Sequence, residues 1–536
     1  MASAERPRLA TVLALAVLAG VFVVLGIRAI GSASPTTDEP GHYRYGHRIL
    51  RGVAARWDDS KMPVSALNAL PCFLMEKSGS AIRDASEFAG PCDWTFARAP
   101  SLLAGLVLGF AIAAWSRALY GFSGALVSFS LFALDPNLIA HASLITTDIY
   151  GALFLLLALW AFARWMEEPR TASSLILGLA LGLAFVSKYT AAYLPVIFAI
   201  AAILMRRRVS AARVFAARGK GAGALLAIAV ALLVINAGFL GDGTFTSLRD
   251  QKFESPQFRE LRKLNPVAQA PLPVPVPFVE GLDRVFHRER NGGGSGNIYF
   301  LGELKNPGSS GFMTYFLVLL LVKTPIPTLV ALGLGAAVLF RRRKGPWGPD
   351  EILLVTAIVF FAVYFNLLFR AQIGFRHFLV VMPPLFVLAG ALGPVLARSR
   401  RRVVASAVAL ALSFASVVRH GDDPLSYFNE FVDPTRTYEI AADSNLDWGQ
   451  SRARVEAYLA GHPGVLQAPG RPFPGRIIVG ANVLTGVVTR KRMEWLRESG
   501  LRPVGHVAFT HFLFDLTNAD AARLRRERGD PPLPPE

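Results

Sequence analysis

The chain has 536 residues, of which 53% are hydrophobic and only 18% charged, and its mean hydropathy is +0.40, which excludes an ordinary soluble globular protein. Its formal charge of +18 would point to nucleic acid in a soluble chain, but the basic residues gather in short clusters between apolar runs, which argues against a nucleic-acid partner. What remains is an α-helical polytopic membrane protein whose basic clusters are cytoplasmic loops.

Hydropathy predicts about eleven transmembrane helices, over residues 10–30, 100–118, 122–135, 147–165, 172–187, 190–205, 221–240, 325–340, 351–369, 378–396 and 403–418, most of them as long as the roughly 17 residues a crossing needs. The first run is read as a retained anchor with Arg6 and Arg8 on the cytoplasmic side, not as a cleaved signal. Residues 313–340 admit one long span, two spans, or an interfacial helix followed by one span. Two crossings would put Arg341–Lys344 and the cluster Arg398, Arg400, Arg401 and Arg402 outside, so one crossing is expected, with 313–322 at the interface. A third cluster, Arg206, Arg207, Arg208, Arg213, Arg218 and Lys220, falls inside on the same scheme.

Four features then lie outside: loop 31–99, loop 241–324, the turn 370–377 and everything after residue 419. Loop 31–99 carries eight basic and eight acidic residues, in contrast to the purely basic clusters. The domain organisation follows: a transmembrane domain over 1–419, and a small extracytoplasmic α/β domain over 420–536. The latter has a strand-like run at Arg476–Val479, a helix-like stretch at Arg452–Leu459, and a proline-rich tail, Pro531–Pro535, expected to be disordered. Cys72 and Cys92 share the first outer loop, where an oxidising compartment permits a disulfide; two free thiols are the alternative.

The candidate chemistry sits at the outer edge of the membrane. Asp38 and Glu39 follow the first span within about eight residues, with His42 close by, and carboxylates in that position suggest a site containing a general base; a solvated cap of a helix starting near Pro40 is the bland alternative. Asp148 opens the fourth span with no base near it in sequence, so it either caps that helix or takes a partner from another one. His141, after Asp135-Pro136-Asn137, reads as structural. Arg376 and His377 top the tenth span, and Lys323 stands at the same level. An arginine there suits a phosphate, although snorkelling to anionic lipid explains lone cations equally well. His42, His47 and Asp38 have no metal-site spacing, and dependence on a divalent metal stays open.

Taken together, Thr37-Asp38-Glu39 with His42, the stretch Pro136 to Asp148, the passages Tyr299-Phe300-Leu301-Gly302-Glu303, Tyr315-Phe316 and Lys323-Thr324-Pro325, and Ile373-Gly374-Phe375-Arg376-His377 resemble the bacterial polyprenyl-phosphate-sugar-dependent glycosyltransferases of the GT-C superfamily, in the branch similar to protein O-mannosyltransferases. Tyr427–Glu430 and Asp443–Gln450 resemble segments of bacterial members without suggesting a mechanism. The resemblance implies inverting transfer from a polyprenyl-phosphate-linked sugar to a protein, lipid or glycan acceptor at the outer face of the inner (plasma) membrane. It implies Asp38 as base with Glu39 in support, and His42, Asp148, Lys323, Arg376 and His377 as substrate-binding residues. Lys61-Met62-Pro63 stands where many relatives show a His-Pro-Pro-like segment, and neither sugar nor acceptor is legible. A transporter or lipid flippase, with Asp38, Asp148 and Arg376 as coupling charges, is the competing class; clustering of charge at one face speaks against it.

Overall fold

The computed structural model describes residues 9–56, 60–79, 92–206, 220–291, 297–341 and 347–533. Arg6, Arg8, Arg207, Arg208, Arg213, Arg218, Arg342, Arg343, Lys344, Pro534 and Pro535 lie outside the described residues.

Each of the eleven apolar runs falls on helix, but not each makes a full-length span. Among the described residues seven helices are long and apolar enough to cross alone: Leu9–Ser32, Trp94–Ala133, Asp148–Glu167, Gly221–Gly238, Pro349–Leu368, Phe375–Leu396 and Arg400–Arg419; Tyr315–Lys323 with Ile326–Arg341 would make an eighth. Runs 172–187 and 190–205 form the shorter helices Thr171–Ser187 and Tyr189–Met205. Runs 100–118 and 122–135 share one 40-residue element that breaks at Gly121, where φ is 74° and ψ is −171°. Glycine takes that conformation without a Cβ clash, so the sequence Tyr120-Gly121-Phe122 ends one helix and starts the next. Hydropathy alone counts such short or broken elements as separate full crossings.

Tyr315–Lys323 and Ile326–Arg341 meet at 115°, a break localised at Thr324, whose backbone is extended (φ −110°, ψ 135°). Pro325 explains it, because a proline disfavours helical angles at the residue before it.

The four segments expected outside all converge on one face. Arg56 of loop 31–99 donates to Pro277 O in loop 241–324, Arg370 N donates to Glu289 O, Asn297 N to Val487 O, and Thr37 N to Trp448 O. At the opposite end Asp350 accepts from Trp115 Nε1 at 2.7 Å and Arg164 Nη2 at 2.8 Å. Helix Asp148–Glu167 connects the two faces, its 20 residues spanning about 30 Å at 1.5 Å per residue.

The C-terminal region carries a four-stranded sheet of order β3-β4-β6-β5, with β3 Leu466–Gln467, β4 Gly475–Gly480, β5 Gly505–Val507 and β6 His511–Leu516. β4 and β6 pair antiparallel from Gly475↔Leu516 to Gly480↔His511. Phe512, Phe514 and Leu516 are buried at alternate positions of β6 and pack with Ile477 and Val479, which is what a period of two does on a one-sided sheet. Helix Arg452–Gly461 precedes the sheet and Asn518–Arg528 follows it, the latter capped by Thr517 and ended by the left-handed Gly529. A short hairpin in the preceding loop, β1 Ile298–Phe300 and β2 Glu303–Lys305, turns through Leu301 and Gly302 at positive φ and bridges to Ala441. Cys72 and Cys92 are bonded, with their Cα atoms 5.6 Å apart.

Candidate active site

The two adjacent carboxylates after the first span do different things. Glu39 is fully buried and accepts four hydrogen bonds, from Arg98 Nε and Ile145 N on Oε1 and from Arg98 Nη2 and Thr36 N on Oε2, each at 2.8 Å. Arg98 in turn donates to Ile30 O, Ala33 O and Ser34 O, satisfying carbonyls at the end of the first helix. Glu39 therefore fixes the loop that carries Asp38, with all four of its acceptor positions engaged by the protein.

Asp38 stands at the N-cap position of helix Glu39–Leu50, yet its side chain makes no capping hydrogen bond. It points instead to two cations: Arg376 Nη1 lies 2.9 Å from Oδ2 and Lys61 Nζ lies 3.6 Å from Oδ1. Burial alone would raise its pKa, but Arg376 and Lys61 outweigh that and hold it at about 2. His42, buried with Nδ1 3.4 Å from Ser65 Oγ, is kept neutral by burial and by Lys61, its pKa falling to about 3.

A second carboxylate–cation group lies alongside. Asp148 Oδ1 is 2.5 Å from Lys188 Nζ, and Oδ2 is 3.6 Å from His141 Nδ1. The charges of Asp148 and Arg376 act on each other and on His377, so the two groups form one electrostatic cluster. Within it Arg376 Nε, His377 Nε2 and His141 Nδ1 are buried without a hydrogen-bond partner among the described residues. Asp148 does not cap its helix, whose N-cap is Thr147, so the partner from another helix is the correct alternative for it.

Lys323 is placed differently from expectation. Its ammonium group is buried and donates to Leu425 O, Tyr427 O and Asn445 O at 2.9, 3.1 and 2.7 Å. An ammonium has three protons, so none remains for a phosphate. Lys323 staples the bent helix pair to the segment after the last span. Asn429 finishes that joint, donating from Nδ2 to Leu321 O and Thr324 O.

Residues 443–450 close the site from above. The Trp448 ring lies 4.2 Å from the Arg376 guanidinium carbon, a stacking that orients the charge. Trp448 O accepts from Thr37 N, Gln450 O from Ser34 N, and Asn445 Oδ1 from Phe375 N at 2.8 Å. One short segment thus grips both stretches that carry Asp38 and Arg376. The hairpin of β1 and β2 ties to the chain just before it, Leu301 N donating to Ile440 O, and from helix Tyr315–Lys323 Tyr315 OH accepts from Asn445 Nδ2.

Asp38, His42, Asp148, Arg376 and His377 are therefore gathered together, while Glu39 and Lys323 act as joints. Sequence reasoning missed Lys61, Lys188 and Trp448 as members of the cluster. Lys188 had a signal available: it is the lone cation in the short turn between runs 172–187 and 190–205. Lys61 occupies the departure from the His-Pro-Pro-like pattern. Among the described residues no group of three or more His, Cys, Asp or Glu could hold a metal.

Residues 89–235 match the family described as dolichyl-phosphate-mannose-protein mannosyltransferase; no curated protein matches the chain. Among solved structures, ArnT from Cupriavidus metallidurans in the apo state is 14% identical, covering 97% of this chain and 99% of that one at a TM-score of 0.48. The same protein bound to undecaprenyl phosphate is 13% identical over the same shares, with a TM-score of 0.46. The Archaeoglobus fulgidus oligosaccharyltransferase tethered with an acceptor peptide is 14% identical over 78% of this chain and 55% of that one, at 0.48. The family match spans the elements that carry Arg98, Asp148 and Lys188.

Proposed function

We propose that this protein moves a sugar from a polyprenyl phosphate to an acceptor hydroxyl at the outer face of the inner membrane, with inversion and with Asp38 as general base. The acceptor oxygen attacks the anomeric carbon while its proton passes to Asp38. The bond from that carbon to the phosphate oxygen breaks, and the leaving phosphate takes the electron pair and remains held by Arg376. The observation that carries the reading is the turn of Asp38 away from the helix it could cap and onto Arg376. While Arg376 and Lys61 sit on its carboxylate, Asp38 is a weak base; a phosphate drawing those cations toward itself raises its proton affinity. A neutral His42 adds no competing charge beside it.

The acceptor is a protein, a lipid or a glycan. Mass spectrometry of secreted proteins, glycolipids and glycans from cells with and without the gene identifies it, and an unchanged inventory would favour a transporter. The residue assignment is tested with purified protein. Asp38→Asn should bind the lipid donor and lose transfer by about 10²- to 10⁴-fold, the usual contribution of a general base. Arg376→Ala should weaken donor binding and transfer together, because its phosphate contact exists in both ground and transition states. Near-normal turnover by Asp38→Asn would sink the reading.

A further inference from the structure

We propose that Asp443 contacts the transferred sugar, its carboxylate accepting a hydrogen bond from a ring hydroxyl, and so determines which sugar is taken. This rests on the roles just assigned to Asp38 and Arg376. In an inverting displacement the sugar ring lies between the incoming oxygen, at Asp38, and the leaving phosphate, at Arg376. A group that flanks both residues flanks the ring.

Asp443 has that position. The next residue, Ser444, donates from Oγ to Ile373 O at 2.7 Å, and Asn445 accepts from Phe375 N, so the backbone on both sides of Gly374 and leading into Arg376 is tied to the two residues after Asp443. The charge of Asp443 acts on both Arg376 and Asp38. It is a left-handed residue that is not glycine, with φ at 58°, a conformation the surroundings must enforce. They do so at three points: its N–H donates to Asn482 Oδ1 at 2.7 Å, its carbonyl accepts from Leu446 N and Asp447 N at 2.9 Å, and its Oδ1 accepts from Ser444 N at 2.6 Å. The backbone and one oxygen are pinned, while Oδ2 has no hydrogen-bond or ion-pair partner among the described residues and the residue is half-buried. An oriented carboxylate with one oxygen free, close enough in charge to act on Arg376 and Asp38, suits the hydroxyls of a sugar, since carboxylates accept strongly from O–H donors. A sugar that places a hydroxyl donor on that oxygen gains a hydrogen bond that a sugar lacking it there does not.

The test compares lipids that differ only in the sugar. Binding of bare undecaprenyl phosphate, and of undecaprenyl phosphate carrying mannose, glucose, galactose or arabinose, is measured on the full-length protein in lipid nanodiscs. The wild type should bind one charged lipid more tightly than the bare lipid. Asp443→Gly keeps the left-handed backbone and removes the carboxylate; it should weaken binding of that charged lipid by about 10- to 100-fold, as expected for a hydrogen bond to a charged group, and leave the bare lipid unchanged. Asp443→Asn, which also tolerates the left-handed conformation, should fall between. Unchanged binding of the charged lipid by Asp443→Gly, equal loss for bare and charged lipids, or a wild type that prefers none of the four sugars would each overturn the assignment. Failure of the underlying reading looks different: the wild type would bind no polyprenyl phosphate, and Arg376→Ala would change nothing.

Discussion

Arg98 grips Glu39 along the full edge of its guanidinium, Nε to Oε1 and Nη2 to Oε2 at 2.8 Å each, with both side chains shielded from water. Removing one partner of such a pair leaves the other charge buried and alone, which costs about 3–5 kcal/mol. Glu39→Gln and Arg98→Met are accordingly expected to lower the unfolding temperature and yield by more than Asp38→Asn, whose side chain is 28% exposed and whose ion pairs are therefore partly screened by water. Thermal unfolding of the three purified variants separates the roles. A stable, inactive Glu39→Gln beside an active Asp38→Asn would place the base one residue later.

Lys323 gives a second stability prediction. Lys323→Met keeps the length of the stem and removes three donors, stranding the carbonyls of Leu425, Tyr427 and Asn445. Each unsatisfied buried carbonyl costs about 1–3 kcal/mol. The expected result is faster proteolysis within residues 420–450, with the transmembrane fragment remaining intact. Resistance equal to wild type would show that the joint is held elsewhere.

The sequence made the helical runs legible because apolar length is a direct physical requirement of the bilayer. Asp38 and Arg376 were legible for a related reason: charge at the edge of an apolar run has to be solvated, paired or used. The separate partners of Asp38 and Glu39 were not legible, because neighbouring side chains at a helix start point about 100° apart, so adjacency in sequence sends two carboxylates to different partners. The three carbonyl partners of Lys323 were not legible, because a lysine at the edge of an apolar run reads the same whether it meets a phosphate or three carbonyls. Asp443 and Trp448 lie 405 and 410 residues after Asp38 in numbering, and no local periodicity reports a contact at that separation.

The disulfide is expected to stabilise the first outer loop. Cys72 and Cys92 are separated by 20 residues, and closing such a loop restricts the unfolded chain by about 3 kcal/mol in the chain-entropy account. Cys92→Ser should lower the unfolding temperature without reductant, and wild type should fall to the same value with it. Two alkylatable thiols in the unreduced protein would contradict the bond.

Orientation is checked with reporters. The converging outer segments share a face with Asp38, and the predicted inside clusters at Arg341–Lys344 and Arg398–Arg402 flank spans whose other ends lead to that face. A periplasm-active reporter fused after Glu536 should be active, and one fused at Arg400 or Lys344 should not. An externally accessible tag between residues 206 and 220 would invert the arrangement and the site with it.

The pH profile distinguishes the carboxylates. Asp38 is held at about 2 against the burial that would raise it, so the free enzyme keeps it ionised at any pH an assay can use. Asp443 is raised to about 6, by burial first and by the negative charges of Asp38 and Asp447, with its backbone hydrogen bond and Arg376 opposing. The linkage signs are opposite. Asp38 contributes stability that is lost only as pH falls from about 4 through 2, whereas Asp443 favours the folded state most below about 4, and that contribution disappears as pH rises through 6. The acid limb of kcat/KM reports groups of the free enzyme, so it should fall near pH 6 in the wild type and be absent in Asp443→Asn, which cannot titrate. Asp38→Asn should lower the whole profile and move that limb toward lower pH, because it removes one of the negative charges that raise Asp443. A limb near pH 6 that survives in Asp443→Asn would assign it to another group. A limb that vanishes only in Asp38→Asn would mean that Asp38 is far less tightly held by Arg376 and Lys61 than their 2.9 and 3.6 Å separations imply.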